Sequence, residues 1–185
     1  MTPKQATRTS KFLSLVLRHK PETIGVTLDE QGWVSVDELL EKMTAAGHSI
    51  DRARLERVVA ENNKKRFAFS GDGQRIRASQ GHSVAVDLSL RPLEPPVVLF
   101  HGTVARNRPS IEEQGLRKQQ RQHVHLSADR NTAQLVGQRY GKPVILEIAA
   151  RQMHEEGYPF FRSENGVWLT DQVPSAFISW PDEDA

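Results

Sequence analysis

The stretch Arg91-Pro92-Leu93-Glu94-Pro95-Pro96 falls at the middle of a 185-residue chain and is too stiffened by proline to continue a helix or a central strand. The hydrophobic pattern changes across it. We therefore take it as the boundary between an N-terminal domain, residues 1–90, and a C-terminal domain, residues 91–185. Each half is long enough to bury a small core of its own. With 37% hydrophobic and 26% charged residues, the composition is that of a folded chain rather than a disordered one.

Several classes are excluded at once. No run approaches the roughly 18 consecutive apolar residues of a membrane span, and residues 1–11 lack the apolar core of a signal peptide, so a cytoplasmic location is expected. The absence of cysteine removes thiol nucleophiles, disulfide frameworks and thiolate metal sites. Charge does not decide the partner: residues 1–90 hold 14 Lys and Arg against 11 Asp and Glu, and residues 91–185 hold 11 against 12.

In the first half, Phe12, Leu13, Val16 and Leu17 recur at helical spacing, and the spacing predicts a helix over 5–19, stopped by Pro21, with Arg18 and His19 on its last turn. Ser35-Val36-Asp37-Glu38 has capping-box spacing ahead of Leu39, Leu40 and Met43, with Gly47 as the stop. Asp51 can cap a third helix with Leu55, Val58 and Val59 inside. Two alternating segments, Arg66 to Phe69 and Arg75 to Ala78, flank Ser70-Gly71-Asp72-Gly73 and read as a hairpin. Helices followed by a hairpin suggest a winged helix.

The second half reads as strand-rich α+β. Strands are expected at Val97 to Phe100, His123 to Leu126, Val144 to Ile148, Phe160-Phe161, Val167 to Leu169 and Phe177 to Trp180, with helices near 109–114 and 129–138.

Leu17-Arg18-His19 places a permanent cation beside an imidazole at a helix end, where ordinary capping accounts for the pair more readily than a phosphate site. Arg66 could meet both if the hairpin packs over the first helix, giving forked donors and an imidazole around a phosphate. His101-Gly102-Thr103 follows the strand Val97 to Phe100, so the His is expected at a strand end and the Gly to let another backbone or a ligand approach closely, a loop without a ligand being about as well supported. His123 and His125 share a strand face, but with no cysteine and no HExxH helix no metal is expected. Arg139 falls between a helix and a strand, free to point into a cleft or into solvent.

Taken in order, these segments resemble the RNA 2′-phosphotransferase family of the KptA type. The matching stretches are Ser10 to His19, Asp29 to Val36, Lys65-Arg66-Phe67, Gln80-Gly81-His82-Ser83, His101-Gly102-Thr103, His123-Val124-His125-Leu126-Ser127, Arg139, and Phe160 to Thr170. Any one is weak; the ordered set is specific and spans nearly the whole chain.

The resemblance implies an N-terminal winged-helix lobe that engages RNA, a C-terminal lobe with the ADP-ribosyltransferase fold that holds NAD+, and an active site between them. It implies transfer of an internal RNA 2′-phosphate to NAD+ through an ADP-ribosylated RNA, giving 2′-OH RNA, ADP-ribose 1″,2″-cyclic phosphate and nicotinamide. The catalytic set carries over to Arg18, His19, Arg66 and Arg139, and the NAD+ contacts to His101, Gly102, Thr103, His125 and Ser127, with no metal and a monomeric enzyme expected. Such chemistry favours arginines over carboxylates, because a phosphomonoester with a second pKa near ~6 is already an anionic nucleophile. Two other readings are an ADP-ribosyltransferase acting on another nucleic-acid phosphate and a non-enzymatic winged-helix DNA-binding regulator. A protein-modifying transferase would be expected to carry a glutamate near Val167, where this chain has only Glu164 in a turn.

Overall fold

The computed structural model describes residues 2–181, which form two compact units that divide between Ser89 and Leu90. Both mix helices with small antiparallel sheets, an α+β arrangement. No helix among the described residues is long and apolar enough to cross a membrane.

The N-terminal unit opens with helix α1, Pro3–Arg18. It begins earlier than the apolar spacing suggests because Thr2 and Gln5 complete a capping box and Pro3 occupies the first turn, where its missing N–H costs nothing. Leu13, Val16 and Leu17 are fully buried along one face. The helix stops at Arg18, so that His19 is the C-cap and not part of the last turn, and Pro21 starts a short 3₁₀ turn.

Helix α2, Val36–Ala45, is capped by the Ser35 hydroxyl, which accepts from the Glu38 N–H. Helix α3, Arg52–Ala60, is capped by Asp51, which accepts from the Arg54 N–H at 2.7 Å. The expected hairpin is present as β2, Phe67–Phe69, and β3, Arg75–Ala78. Its turn is held by the Asp72 carboxylate, which accepts from the Ser70 hydroxyl at 2.6 Å and the Gln74 N–H at 3.0 Å. A two-residue strand β1, Val34–Ser35, adds to β3 and completes the order β1-β3-β2. It is too short to show a period of two. Leu39, Leu55, Ile76 and Ala78 close the core over α1.

The C-terminal unit is ordered β4 (Leu99–Val104), α4 (Arg108–Gln114), β5 (Leu116–Arg117), β6 (Val124–Leu126), α5 (Arg130–Gly137), β7 (Pro143–Ile148), α6 (Ala150–Glu155), β8 (Phe160–Arg162), β9 (Trp168–Thr170), β10 (Gln172–Val173) and β11 (Ile178–Ser179). Three antiparallel sheets result, β11-β7-β4, β6-β9-β8 and β10-β5, around Leu99, Leu126, Leu146, Ile148, Met153 and Phe160. The β4 and β6 sheets are stitched at one point, where Phe100 and Ser127 exchange two backbone hydrogen bonds of 2.8 Å. Part of the proline stretch belongs to this unit. The Arg151 guanidinium donates to the Pro95 carbonyl at 3.0 and 3.1 Å and pairs with Glu94 at 2.8 Å, while the Leu93 N–H donates to Phe160 O.

The main departure from expectation concerns His101-Gly102-Thr103. These residues are not past the end of a strand; they lie inside β4, opposite Leu146, Ile145 and Val144 of β7. The reason is the helix on the sheet. A Cβ on Gly102 would stand 1.9 Å from the Ala133 carbonyl oxygen of α5, and one on Gly137 would stand 2.9 Å from Pro143 Cβ and 3.3 Å from Thr103 O. The expected close approach at Gly102 is thus made by a backbone, that of α5, which lies directly on the strand.

Two outcomes follow from this packing. Gly102→Ala should cost the C-terminal unit about 3 kcal/mol, read as a lower denaturation midpoint, because backbone on both sides must shift. In the N-terminal unit His82 is 1% exposed, and neither ring nitrogen has a hydrogen-bond partner. Burial first, then the charges of Arg18, His19 and Arg77, lower its pKa from 6.5 to about 4. The unfolded chain therefore takes up a proton that the folded unit refuses. Stability should be full above pH 6.5 and fall as pH drops towards about 4, by roughly 1 kcal/mol per pH unit. Urea unfolding followed through α1 signals should show this slope in the native chain and a flatter one in His82→Leu.

Candidate active site

In the N-terminal unit the last turn of α1 leaves carbonyls that no helical N–H can reach. One of them, on Arg18, is met by the segment that follows β3: Ser83 N–H donates to it at 2.9 Å and Val84 N–H at 3.3 Å. The same segment holds the entry to β2. Ser79 N–H donates to the Arg66 carbonyl at 2.8 Å and the Ser79 hydroxyl to the Lys65 carbonyl at 2.9 Å, fixing a backbone in which Lys65 has a positive φ of 42°.

Three of the expected catalytic residues come together this way. Half-buried Arg18 reaches from Nη2 to the Arg66 carbonyl at 3.4 Å, with its Cζ 6.0 Å from the centre of the Phe67 ring. Arg66 is half-buried and His19 is exposed, with Nδ1 3.0 Å from the Ser83 hydroxyl. The side chains of Arg18 and His19 and the main chain of Arg66 thus meet in one patch, where guanidinium and imidazole donors suit an oxyanion. Sequence reasoning assigned no role to Ser79 or Ser83. The only signal for Ser83 was its place in Gln80-Gly81-His82-Ser83, a stretch without periodicity.

In the C-terminal unit, His101, His125 and Ser127 are gathered by the Phe100–Ser127 stitch. His101 Nδ1–H donates to the His125 carbonyl at 3.0 Å, so in the neutral ring Nε2 is the acceptor. Burial is the main cause holding its pKa below the ordinary value; the bond to His125 opposes this and the Arg121 charge adds to it. Arg121 also donates from Nη1 to His125 Nδ1 at 3.2 Å, which leaves the proton of a neutral His125 on Nε2. Arg121 is a further residue of this patch that sequence reasoning missed, four positions ahead of His125.

Thr103 is buried and accepts from Asn107 Nδ2 at 3.1 Å. Arg139 is exposed on a 3₁₀ turn, Gln138–Tyr140, directly after α5. Its position is set by α5, which Gly102 and Gly137 seat on β4. His123 stands beside Phe161, ring centres 5.6 Å apart, with its pKa lowered mainly by burial. Among the described residues, no group of three His, Asp or Glu side chains could hold a metal ion.

Comparison with known proteins identifies the family. The family model described as RNA 2'-phosphotransferase, Tpt1 / KptA family, matches residues 4–172. A probable RNA 2'-phosphotransferase of Agrobacterium fabrum is 58% identical over 174 residues, 94% of each chain. Proteins of the same name from Rhodopirellula baltica and Pseudomonas aeruginosa are each 56% identical over 179 residues, 96% of this chain and 97% and 98% of theirs. With its length matched almost end to end and more than half its residues shared, this chain belongs to the RNA 2'-phosphotransferase, Tpt1 / KptA family.

Proposed function

We propose that the chain is an NAD-dependent RNA 2′-phosphotransferase. The net reaction takes RNA bearing an internal 2′-phosphate and NAD+ to 2′-OH RNA, ADP-ribose 1″,2″-cyclic phosphate and nicotinamide. The observation that carries this reading is the patch in which Arg18, His19 and Arg66 are linked through the Arg66 carbonyl and Ser83. Membership of the family supports it. We read the N-terminal unit as a winged-helix lobe that engages RNA and the C-terminal unit as an ADP-ribosyltransferase-like lobe.

The roles follow from donor chemistry. Arg18 and Arg66 neutralise and orient the 2′-phosphate, whose own oxygen is nucleophile enough to need no side-chain base. His19 hydrogen-bonds the same phosphate and gives a proton to the 2′-oxygen as it leaves. In the C-terminal unit, His101 offers an acceptor nitrogen and His125 a donor nitrogen, a pair suited to ribose hydroxyls and a carboxamide. Thr103 and Ser127 add hydroxyls, and Gly102, whose side-chain position is taken by α5, would contribute only through its main chain. NAD+ supplies the ribose carbon that takes the phosphate oxygen when nicotinamide departs. In the second step the ribose 2″-OH would attack phosphorus as its bond to the RNA 2′-oxygen breaks, closing the cyclic phosphate, and Arg139 stabilises the charge that develops there.

An internally 2′-phosphorylated oligoribonucleotide incubated with NAD+ should yield 2′-OH RNA and one nicotinamide per phosphate removed. Phosphate loss that proceeds equally without NAD+ overturns the reading. Arg18→Ala or Arg66→Ala should lower kcat/KM about 10- to 100-fold, the equivalent of one charge-assisted hydrogen bond, as measured in the same assay. Arg139→Ala should slow the second step more than the first, so that ADP-ribosylated RNA accumulates and is visible on a denaturing gel.

A further inference from the structure

We propose that Ser83 is a positioning residue for His19, its hydroxyl setting which ring nitrogen presents a proton to the phosphate. The inference rests on the reading of His19 given above and extends it to a residue outside the Arg18, His19, Arg66 and Arg139 set.

Two partners stand within reach of the hydroxyl, and they differ in strength. Ser83 Oγ is 3.0 Å from His19 Nδ1 and 3.4 Å from the Arg18 carbonyl oxygen. That carbonyl already accepts two backbone N–H groups, from Ser83 at 2.9 Å and Val84 at 3.3 Å, so a third bond from the hydroxyl at 3.4 Å is a weak one. When the ring is neutral the hydroxyl proton therefore goes to the nearer and less occupied acceptor, His19 Nδ1 at 3.0 Å. A neutral imidazole that accepts at Nδ1 carries its hydrogen on Nε2, the nitrogen on the far side of the ring from Ser83. Neutral His19 can then donate to a phosphate oxygen without first becoming a cation.

The same hydroxyl serves the other protonation state. When the imidazole is charged, Nδ1–H becomes a donor, and Ser83 Oγ accepts it by turning its own proton towards the Arg18 carbonyl at 3.4 Å. A serine or threonine can follow the ring through both states, and an alanine through neither. Side chain and backbone have separate tasks here, because the two N–H bonds that cap α1 do not involve the hydroxyl. Both His19 and Ser83 are exposed, so the bond competes with water and its effect is modest.

The test uses the full chain with ¹⁵N-labelled histidine, as wild type, Ser83→Ala and Ser83→Thr, with the His19 resonances assigned from a His19→Gln variant. At alkaline pH, wild type and Ser83→Thr should show His19 protonated on Nε2, and Ser83→Ala should move towards the mixture of an unheld imidazole. In the phosphotransfer assay Ser83→Ala should lose about three- to tenfold in kcat, with KM for NAD+ unchanged and with Ser83→Thr restoring the rate. Both changes together support the assignment. A shifted spectrum with an unchanged rate, or a lost rate with an unchanged spectrum, overturns it. If wild type transfers no phosphate and the His19 tautomer still moves in Ser83→Ala, the proposed function fails while the hold of Ser83 on the ring stands.

Discussion

A helix cannot satisfy its own final carbonyls, and in the N-terminal unit this shortage organises the candidate phosphate patch. Arg18 O is met by N–H groups from Ser83 and Val84, more than sixty positions away in sequence. To reach it, the chain leaving β3 must run back along the end of α1, and in doing so it passes Arg66 and fastens its carbonyl through Ser79. One polar debt thus brings three separated segments together at the point where cations are concentrated. His82 lies between these anchors, after Ser79 and before Ser83 and Val84, buried and with neither ring nitrogen hydrogen-bonded.

The C-terminal unit solves a comparable problem with a joint between sheets. Phe100 and Ser127 share two short backbone bonds, and every residue of its candidate site other than Arg121 and Arg139 lies on the strands that this joint brings together or directly beside them. The tautomers of His101 and His125 are set by what each must do locally. One donates to a carbonyl and the other accepts from a guanidinium, so their outward nitrogens differ in kind. Two imidazoles that look equivalent in the sequence become an acceptor and a donor.

Much of this was legible before any coordinates. The three helices of the first half follow from apolar spacing and from Ser35 and Asp51 as caps, and the Asp72-Gly73 turn marks its hairpin. The ordered motifs led to the family. What could not be read depended on contacts between distant backbones. Strands of two residues, such as Val34–Ser35 and Leu116–Arg117, have no period to detect. His101-Gly102-Thr103 looked like a strand end because the apolar run stops at Phe100; the close approach expected at Gly102 is there, but the helix that makes it is contributed by residues some thirty positions later. Ser83 was visible only as part of a motif, since its use depends on an orphan carbonyl in another element.

The seating of α5 on β4 also limits how relatives of this protein can diverge. Ala133 O approaches Gly102 so closely that no other amino acid fits without displacing main chain. Substitution at that point would disturb His101 and Thr103 on either side before it altered any ligand preference. Drift in this lobe is therefore channelled to positions such as Arg121 and Ser127, whose side chains are only partly enclosed or lie open to solvent, while the glycine stays locked by architecture.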